Sequence, residues 1–160
     1  MTDFSRTLKH ITVWALLGTL VFVAVQAWQA QQLQSRFSAR GGVIELKRAA
    51  DGHFHWPGRI NGVAVNFLVD TGATHSALPL ALAQRIGLQA DGRMQSSTAG
   101  GTVQGWTARA DLVLDGGVQA QRLRVTVLPA LGAPLLGMDV LGQLPFSQDN
   151  GVLRLRPPAN

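Results

Sequence analysis

Apolar and polar positions split this chain into two unlike parts. Residues 1–10 are polar and carry Asp3, Arg6 and Lys9, and residues 11–28 then read ITVWALLGTLVFVAVQAW without a charge. A helix of about 18 residues rises about 27 Å, close to the thickness of a bilayer core. Trp14 and Trp28 stand near its two ends, where amphipathic rings favour the membrane interface. The pattern predicts an uncleaved transmembrane anchor over 11–28, after a cytoplasmic segment over 1–10. Arg6 and Lys9 favour that orientation, and Arg36 and Arg40 beyond the span weigh against it. A cleaved signal peptide is the rival reading, since Val25-Gln26-Ala27 offers small residues for a cleavage site, but the apolar stretch is longer than usual for one. A buried core helix fits least, because the stretch has no polar face. Residues 29–40 (QAQQLQSRFSAR) show no strand pattern and read as part of a tether over 29–42, closed by Gly41-Gly42.

From Val43 the period changes. Residues 43–48 read as a short strand and Asp51-Gly52 as a hairpin turn. Residues 53–60 follow as a second strand interrupted at Pro57, Asn61-Gly62 as another turn, and residues 63–69 as a third strand. These segments predict an antiparallel meander at the start of a domain over 43–160. Residues 79–86 (PLALAQRI) read as a short helix stopped by Gly87. Residues 94–106 (MQSSTAGGTVQGW) have few large apolar side chains and predict an exposed hairpin with its tip at Gly100-Gly101. Residues 107–114 and 123–128 alternate as strands, the first ending in the Asp115-Gly116-Gly117 turn. Asp139 is placed to cap a short helix ending near Gly142. Phe146 and residues 152–155 form a last strand pair around Asn150-Gly151, halted by Pro157-Pro158.

Composition narrows the chemistry. A hydrophobic content of 46% with 14% charged residues fits a globular domain plus a membrane segment and excludes general disorder. The net charge of +5 raises nucleic acid as a partner, but Arg59, Arg85, Arg93, Arg109, Arg122 and Arg124 are scattered and no aromatic RNA-binding signature accompanies them. No nucleic-acid partner is expected. The absence of cysteine excludes a disulfide framework, a thiol nucleophile and a zinc–thiolate site. His53 and His55 flank Phe54 on one strand face without further ligands, so they read as surface residues and no metal is expected. No Gly-Lys-Ser/Thr follows the glycine-rich hairpin, which excludes a phosphate-binding loop.

The chemistry gathers in Phe67-Leu68-Val69-Asp70-Thr71-Gly72-Ala73-Thr74. A buried strand delivers one carboxylate into a tight Thr-Gly turn, where it is held rigidly and partly desolvated. By itself this also describes an ordinary Asp-containing turn. Two further features follow in order: the glycine-rich hairpin, and Leu135-Leu136-Gly137 before a short helix.

Taken together, the three resemble the retropepsin-like aspartic proteases, specifically the bacterial single-pass type with an N-terminal anchor, over about residues 43–155. The resemblance implies an all-β fold, a closed β-barrel or sandwich with one or two short helices, preceded here by the transmembrane helix. It makes Asp70 the catalytic aspartate, with Thr71, Gly72, Ala73 and Thr74 as the supporting loop and the Thr71 hydroxyl bracing two such loops across a subunit interface. Thr98, Ala99, Gly100 and Gly101 become the substrate-binding flap, and Leu135, Leu136 and Gly137 the strand beneath the site. Met138-Asp139 departs from the retroviral pattern, which has Arg-Asn there. The resemblance implies no cofactor and a place in the bacterial inner membrane, and Arg6 and Lys9 before the span then put the protease domain in the periplasm.

Hydrolysis of an amide by water needs one group to take a proton and another to give one. Two close carboxylates do both, because they share one proton. This chain has one Asp-Thr-Gly, and Asp111 and Asp139 lack the Thr-Gly turn. The reading therefore requires a homodimer that brings two Asp70 side chains together. Its substrate class is an extended polypeptide, with membrane or envelope proteins as candidates. His75, just past the turn, reads as an exposed imidazole, with tuning of the site's pH response as the alternative. The competing function is a non-catalytic, membrane-anchored dimerisation or peptide-docking domain, which has no need of the acid. A protease domain facing the cytoplasm is a second alternative. A phosphoaspartyl enzyme is a distant third, because the acids and lysine it needs are missing around Asp70.

Overall fold

The computed structural model describes residues 3–34, 37–40, 42–98 and 101–157. The chain divides into two units, Met1–Ser35 and Arg36–Asn160. The first is helix α1 (Asp3–Gln34), whose apolar side chains at Ile11, Trp14, Leu20 and Phe22 are all more than half exposed. The expected span at 11–28 is helical throughout, yet among the described residues no helix is long and apolar enough to cross a membrane. Side chains are described there for residues 10–26. The apolar run from Ile11 within them rises about 24 Å, short of a hydrocarbon core of about 30 Å. Ala27 and Trp28, which extend that run in the sequence, lie outside the described side chains.

The second unit is built from two sheets. A four-stranded antiparallel sheet has the order β1-β2-β11-β10, from β1 (Phe37–Arg40), β2 (Val43–Lys47), β10 (Phe146–Asp149) and β11 (Val152–Leu155). The tether expected at 29–42 is therefore partly structured: α1 runs on to Gln34, and residues 37–40 pair with Leu46 to Val43. Backbone pairing asks little of side-chain pattern, so a polar strand at a sheet edge leaves a weak signal.

The larger sheet has the order β3-β4-β9-β5-β8-β7-β6, and an additional β3–β7 pairing closes it on itself. Its strands are β3 (His55–Ile60), β4 (Val63–Val69), β5 (Ala77–Pro79), β6 (Gly92–Thr98), β7 (Gly101–Leu114), β8 (Gln119–Leu128) and β9 (Leu135–Leu136). Short helices α2 (Leu80–Arg85) and α3 (Met138–Leu141) follow β5 and β9. Both Asn-Gly turns form as expected: Asn61 (φ 47°) and Gly62 (φ 80°) join β3 to β4, and Asn150 (φ 47°) and Gly151 (φ 75°) join β10 to β11. Paired positive φ values match the twist of the flanking strands.

The meander expected over residues 43–69 does not form, because β2 pairs with β1 and β11 while β3 pairs with β4 and β7. Around Gly52 (φ 83°) the chain turns tightly, with Gly52 N–H donating to Ala49 O (3.0 Å) and Ala49 N–H to His53 O (2.7 Å). That turn carries the chain from one sheet to the other. A turn signal fixes the local bend, whereas burial selects the strand partner. Ile44 and Leu46 of β2 and Leu153 and Leu155 of β11 enter the same core as Trp56, Phe67 and Leu136 of the larger sheet. Trp56 and Phe67 are cross-strand partners with almost no exposure, and the indole N–H donates to Asp115 O (2.9 Å), so burying that aromatic pair strands no polar atom there.

Candidate active site

Asp70 sits where β4 ends, and its position is set by β9 beside it. Strand β9 runs parallel to β4, with Leu68 opposite Leu135 and Val69 opposite Leu136, and antiparallel to β5 at Ala77. Leu68 N–H donates to Pro134 O (2.8 Å) and Asp70 N–H to Leu136 O (3.0 Å), so the backbone is clamped up to the aspartate itself. Leu136 is fully buried and Leu135 partly so. The turn then folds back: Gly72 N–H donates to Asp70 Oδ1 (2.9 Å) and Ala73 N–H to Asp70 O (3.3 Å). The Asp70 side chain is half-buried, with a backbone donor on one oxygen, which orients the carboxylate.

The other side of the loop rests on α3. Met138 N–H donates to Ala73 O (2.8 Å) and Asp139 N–H to Thr74 O (3.1 Å), so α3 directs two N-terminal donors at the loop's carbonyls. Gly137 makes that approach possible. A Cβ there would lie 2.6 Å from the carbonyl carbon of His75, 2.8 Å from its oxygen and 2.9 Å from Ala73 O.

Asp139 does not cap α3 as expected. The N-cap is Gly137, without a side-chain hydrogen bond, and Asp139 lies inside the first turn. Its carboxylate instead accepts from Ser76 N–H (2.8 Å), Ser76 Oγ–H (2.8 Å) and Val140 N–H (3.0 Å). Ser76 is 1% exposed, and its Oγ also accepts from Gly137 N–H (3.0 Å). Ser76 and Asp139 thus stitch the strand after the loop to the helix under it. Ser76 is not among the residues that the sequence singles out, although a serine leading into Ala77-Leu78 is an apparent polar break before an apolar strand. Ser76→Ala is expected to destabilise the domain by about 1–3 kcal/mol, because it leaves Gly137 N–H and an Asp139 oxygen underpaired. Urea denaturation measures it, and an unchanged midpoint would show that the stitch adds nothing.

The remaining expected residues are placed as follows. Thr71 and Thr74 are exposed, and among the described residues neither hydroxyl has a partner. The hairpin expected at 94–106 forms from β6 and β7, paired from Gly92–Thr107 to Thr98–Gly101. Ala99 and Gly100 lie outside the described residues, as does the side chain of Thr98, while Gly101 has φ 111°. Asp111 supports the β7–β8 ladder, where its Oδ1 accepts from Arg122 N–H (2.8 Å) beside an irregularity between Ala110 and Leu112. A cavity of about 950 Å³ lies between β2, the β7–β8 turn and Val140–Leu144, and residues 70–74 do not line it.

At the start of β3, Asp51 holds two neighbours. Its Oδ1 accepts from His53 N–H (3.0 Å) and its Oδ2 lies 2.7 Å from His55 Nε2. The backbone bond from His53, then the bond to the His55 ring, pull the Asp51 carboxyl below its ordinary value of 3.8, with desolvation opposing weakly. A depressed folded value stabilises the fold above the unfolded value, and that contribution is lost as pH falls through the folded value. Asp51→Asn is therefore expected to be less stable than wild type at pH 6, with the difference closing below about pH 3.8. Denaturation midpoints across pH measure this, and a gap that persists in acid would contradict it.

The model of the family described as "gag-polyprotein putative aspartyl protease" matches residues 56–143, more than half of the chain. An uncharacterized protein of Rickettsia prowazekii is 31% identical over 110 residues, which cover 66% of this chain and 47% of the relative. The chain thus spans about half the length of that curated relative. Among solved structures, a retropepsin-like aspartic protease from Rickettsia conorii superimposes with a TM-score of 0.57 at 28% identity, covering 74% of this chain and 93% of that one. EIAV protease, complexed with an inhibitor, gives a TM-score of 0.48 at 22% identity over 58% of this chain and 88% of its own. A strand-end aspartate in an Asp-Thr-Gly turn, seated on Leu-Leu-Gly within a closed β-sheet, lies inside the residues that the family model matches, and the chain belongs to the retropepsin-like aspartic proteases.

Proposed function

We propose that this chain is an aspartic endopeptidase whose working unit is a two-fold homodimer. The observation that carries the reading is Asp70, a carboxylate fixed by backbone bonds at a partly open turn with no second carboxylate assigned to it. Among the described residues Asp139 is committed to Ser76, Asp111 to Arg122 and Asp91 to Thr107. A second copy supplies the second acid. The pair then shares a proton, one carboxylate activating water and the other protonating the carbonyl oxygen of the scissile amide. The two titration steps belong to the pair. Thr71, exposed beside the aspartate, braces the two loops, and the β6–β7 hairpin closes over an extended polypeptide held as a strand.

Helix α1 serves as a tether to the bacterial inner membrane, with the protease domain in the periplasm and a membrane or envelope protein as substrate. Support comes from the uncharged run at 11–28 and from the exposed apolar side chains described between Ile11 and Val25. Membrane tethering raises the local concentration of protomers and favours pairing. Cleavage of a diverse peptide library from acid to neutral pH, with product mass fingerprints, tests the catalytic reading. Asp70-dependent products support it, and a folded, dimeric protein that yields none contradicts it. A reporter fused after Asn160 tests the orientation.

A further inference from the structure

Strand β4 has an open edge short of the catalytic turn. Its ladder with β9 covers only Leu68–Leu135 and Val69–Leu136. Main-chain groups alternate along it: Leu68 and Asp70 donate toward β9, at Pro134 O and Leu136 O, while Val69 donates the other way, to Phe54 O. Asn66, two residues before Leu68, therefore presents its N–H and C=O to the β9 side. The next step back in a parallel ladder would join Asn66 N–H to Gly132 O and the N–H of residue 134 to Asn66 O. Neither bond forms among the described residues, since the pairing stops at Leu135 and residue 134 is a proline without an N–H. The Asn66 side chain adds a third unpaired group, for its buried Oδ1 has no partner among the described residues.

A pocket of about 480 Å³ opens at this edge, between β4, α2 and Pro134. Val65, Pro79, Leu82 and Pro134 give it apolar walls. Arg85, in the last turn of α2, is the one charged residue that lines it among the described residues, and it is exposed. No ion pair among the described residues engages its guanidinium; those that form use Asp51, Asp91 and Glu45 with other partners. A guanidinium keeps its charge across the working range of pH. An unpaired strand edge, apolar walls and one cation thus meet in one pocket.

We propose that this edge of β4 is a docking site for an extended, acidic polypeptide segment. The segment adds as a strand: its main chain pairs with Asn66 N–H and C=O, and its carboxylate meets Arg85. A fatty acid or other small anion would satisfy Arg85 but has no N–H to give Asn66 O, so the unpaired edge selects a peptide. Residues 70–74 do not line the pocket, and the site stands or falls apart from the endopeptidase reading.

The test uses the full chain in detergent, carrying Asp70→Asn so that no probe is consumed. Capped peptides of Ser and Val, about the length of one strand, differ only by Glu against Gln at each position in turn. Glu is expected to bind about tenfold more tightly at one position, the scale of one hydrogen bond to a charged group. Arg85→Gln brings that ratio close to one. On saturation, hydrogen exchange at Asn66 N–H slows about tenfold or more, as strand addition requires. A probe N-methylated along its pairing edge does not bind. Equal binding of Glu and Gln at every position, no saturable binding up to about 10 mM, or a preference unchanged in Arg85→Gln overturns the proposal. So does binding that leaves Asn66 exchange as it was. Protection of Asn66 that rises with protein concentration, without any peptide, assigns the edge to a second copy and overturns it too. Each of these outcomes leaves the endopeptidase reading intact, which cleavage by wild type tests separately.

Discussion

Gly137→Ala is expected to abolish peptide cleavage and to destabilise the domain by about 3 kcal/mol or more. The reason lies in backbone contacts that cannot yield separately. The added methyl would sit 2.6–2.9 Å from the His75 carbonyl group and Ala73 O, all main-chain atoms of the segment that follows Asp70. Relief requires α3 to withdraw, which breaks Met138 N–H to Ala73 O, Asp139 N–H to Thr74 O and the Gly137 N–H bond to Ser76 Oγ. The loop would then lose its support on one side while β9 still held the other. Gly132 is the control, since a Cβ there meets nothing within 4 Å, and Gly132→Ala is expected to change stability by less than about 0.5 kcal/mol. Denaturation curves and peptide cleavage on both variants measure the effect. A Gly137→Ala protein with wild-type stability and activity would show that the close approach of α3 is dispensable.

The second large effect is at the acid. Asp70→Asn is expected to lower kcat/KM by at least about a thousandfold, since it removes the group that exchanges protons with water and substrate. Stability should change little. An amide oxygen can still accept from Gly72 N–H, and Asp70 N–H to Leu136 O is a backbone bond that the substitution leaves in place. Loss of activity with a retained unfolding midpoint therefore separates chemistry from folding. Residual cleavage above about one per cent, from protein free of other proteases, would place the essential acid elsewhere.

Much of this site was legible in the sequence because its signals are local. An apolar strand into Asp-Thr-Gly, Asn-Gly turns with positive φ, and a glycine where a Cβ cannot fit each depend on a few adjacent residues. Pairing at a distance was less legible. The sequence placed β2 beside β3 because a turn signal lay between them, and burial of Ile44 and Leu46 instead sent β2 to β11. Residues 37–40 read as tether because an edge strand needs no alternation. Asp139 read as a helix cap, since nothing in the sequence reveals that Ser76, 63 positions away, fills its carboxylate. His53 and His55 read as surface residues, and only the register shows that His55 stands opposite Leu68 on the strand that leads into Asp70.

The central claim is that two Asp70 carboxylates from two chains make one site, and mixing protomers tests it most directly. Wild type and Asp70→Asn are combined in equal amounts, allowed to exchange subunits, and compared with wild type alone at the same total concentration. Random pairing of a two-acid site leaves about a quarter of the activity, because mixed dimers are silent. A remaining activity of about a half would contradict the account, because that is the result for a site completed by a single Asp70.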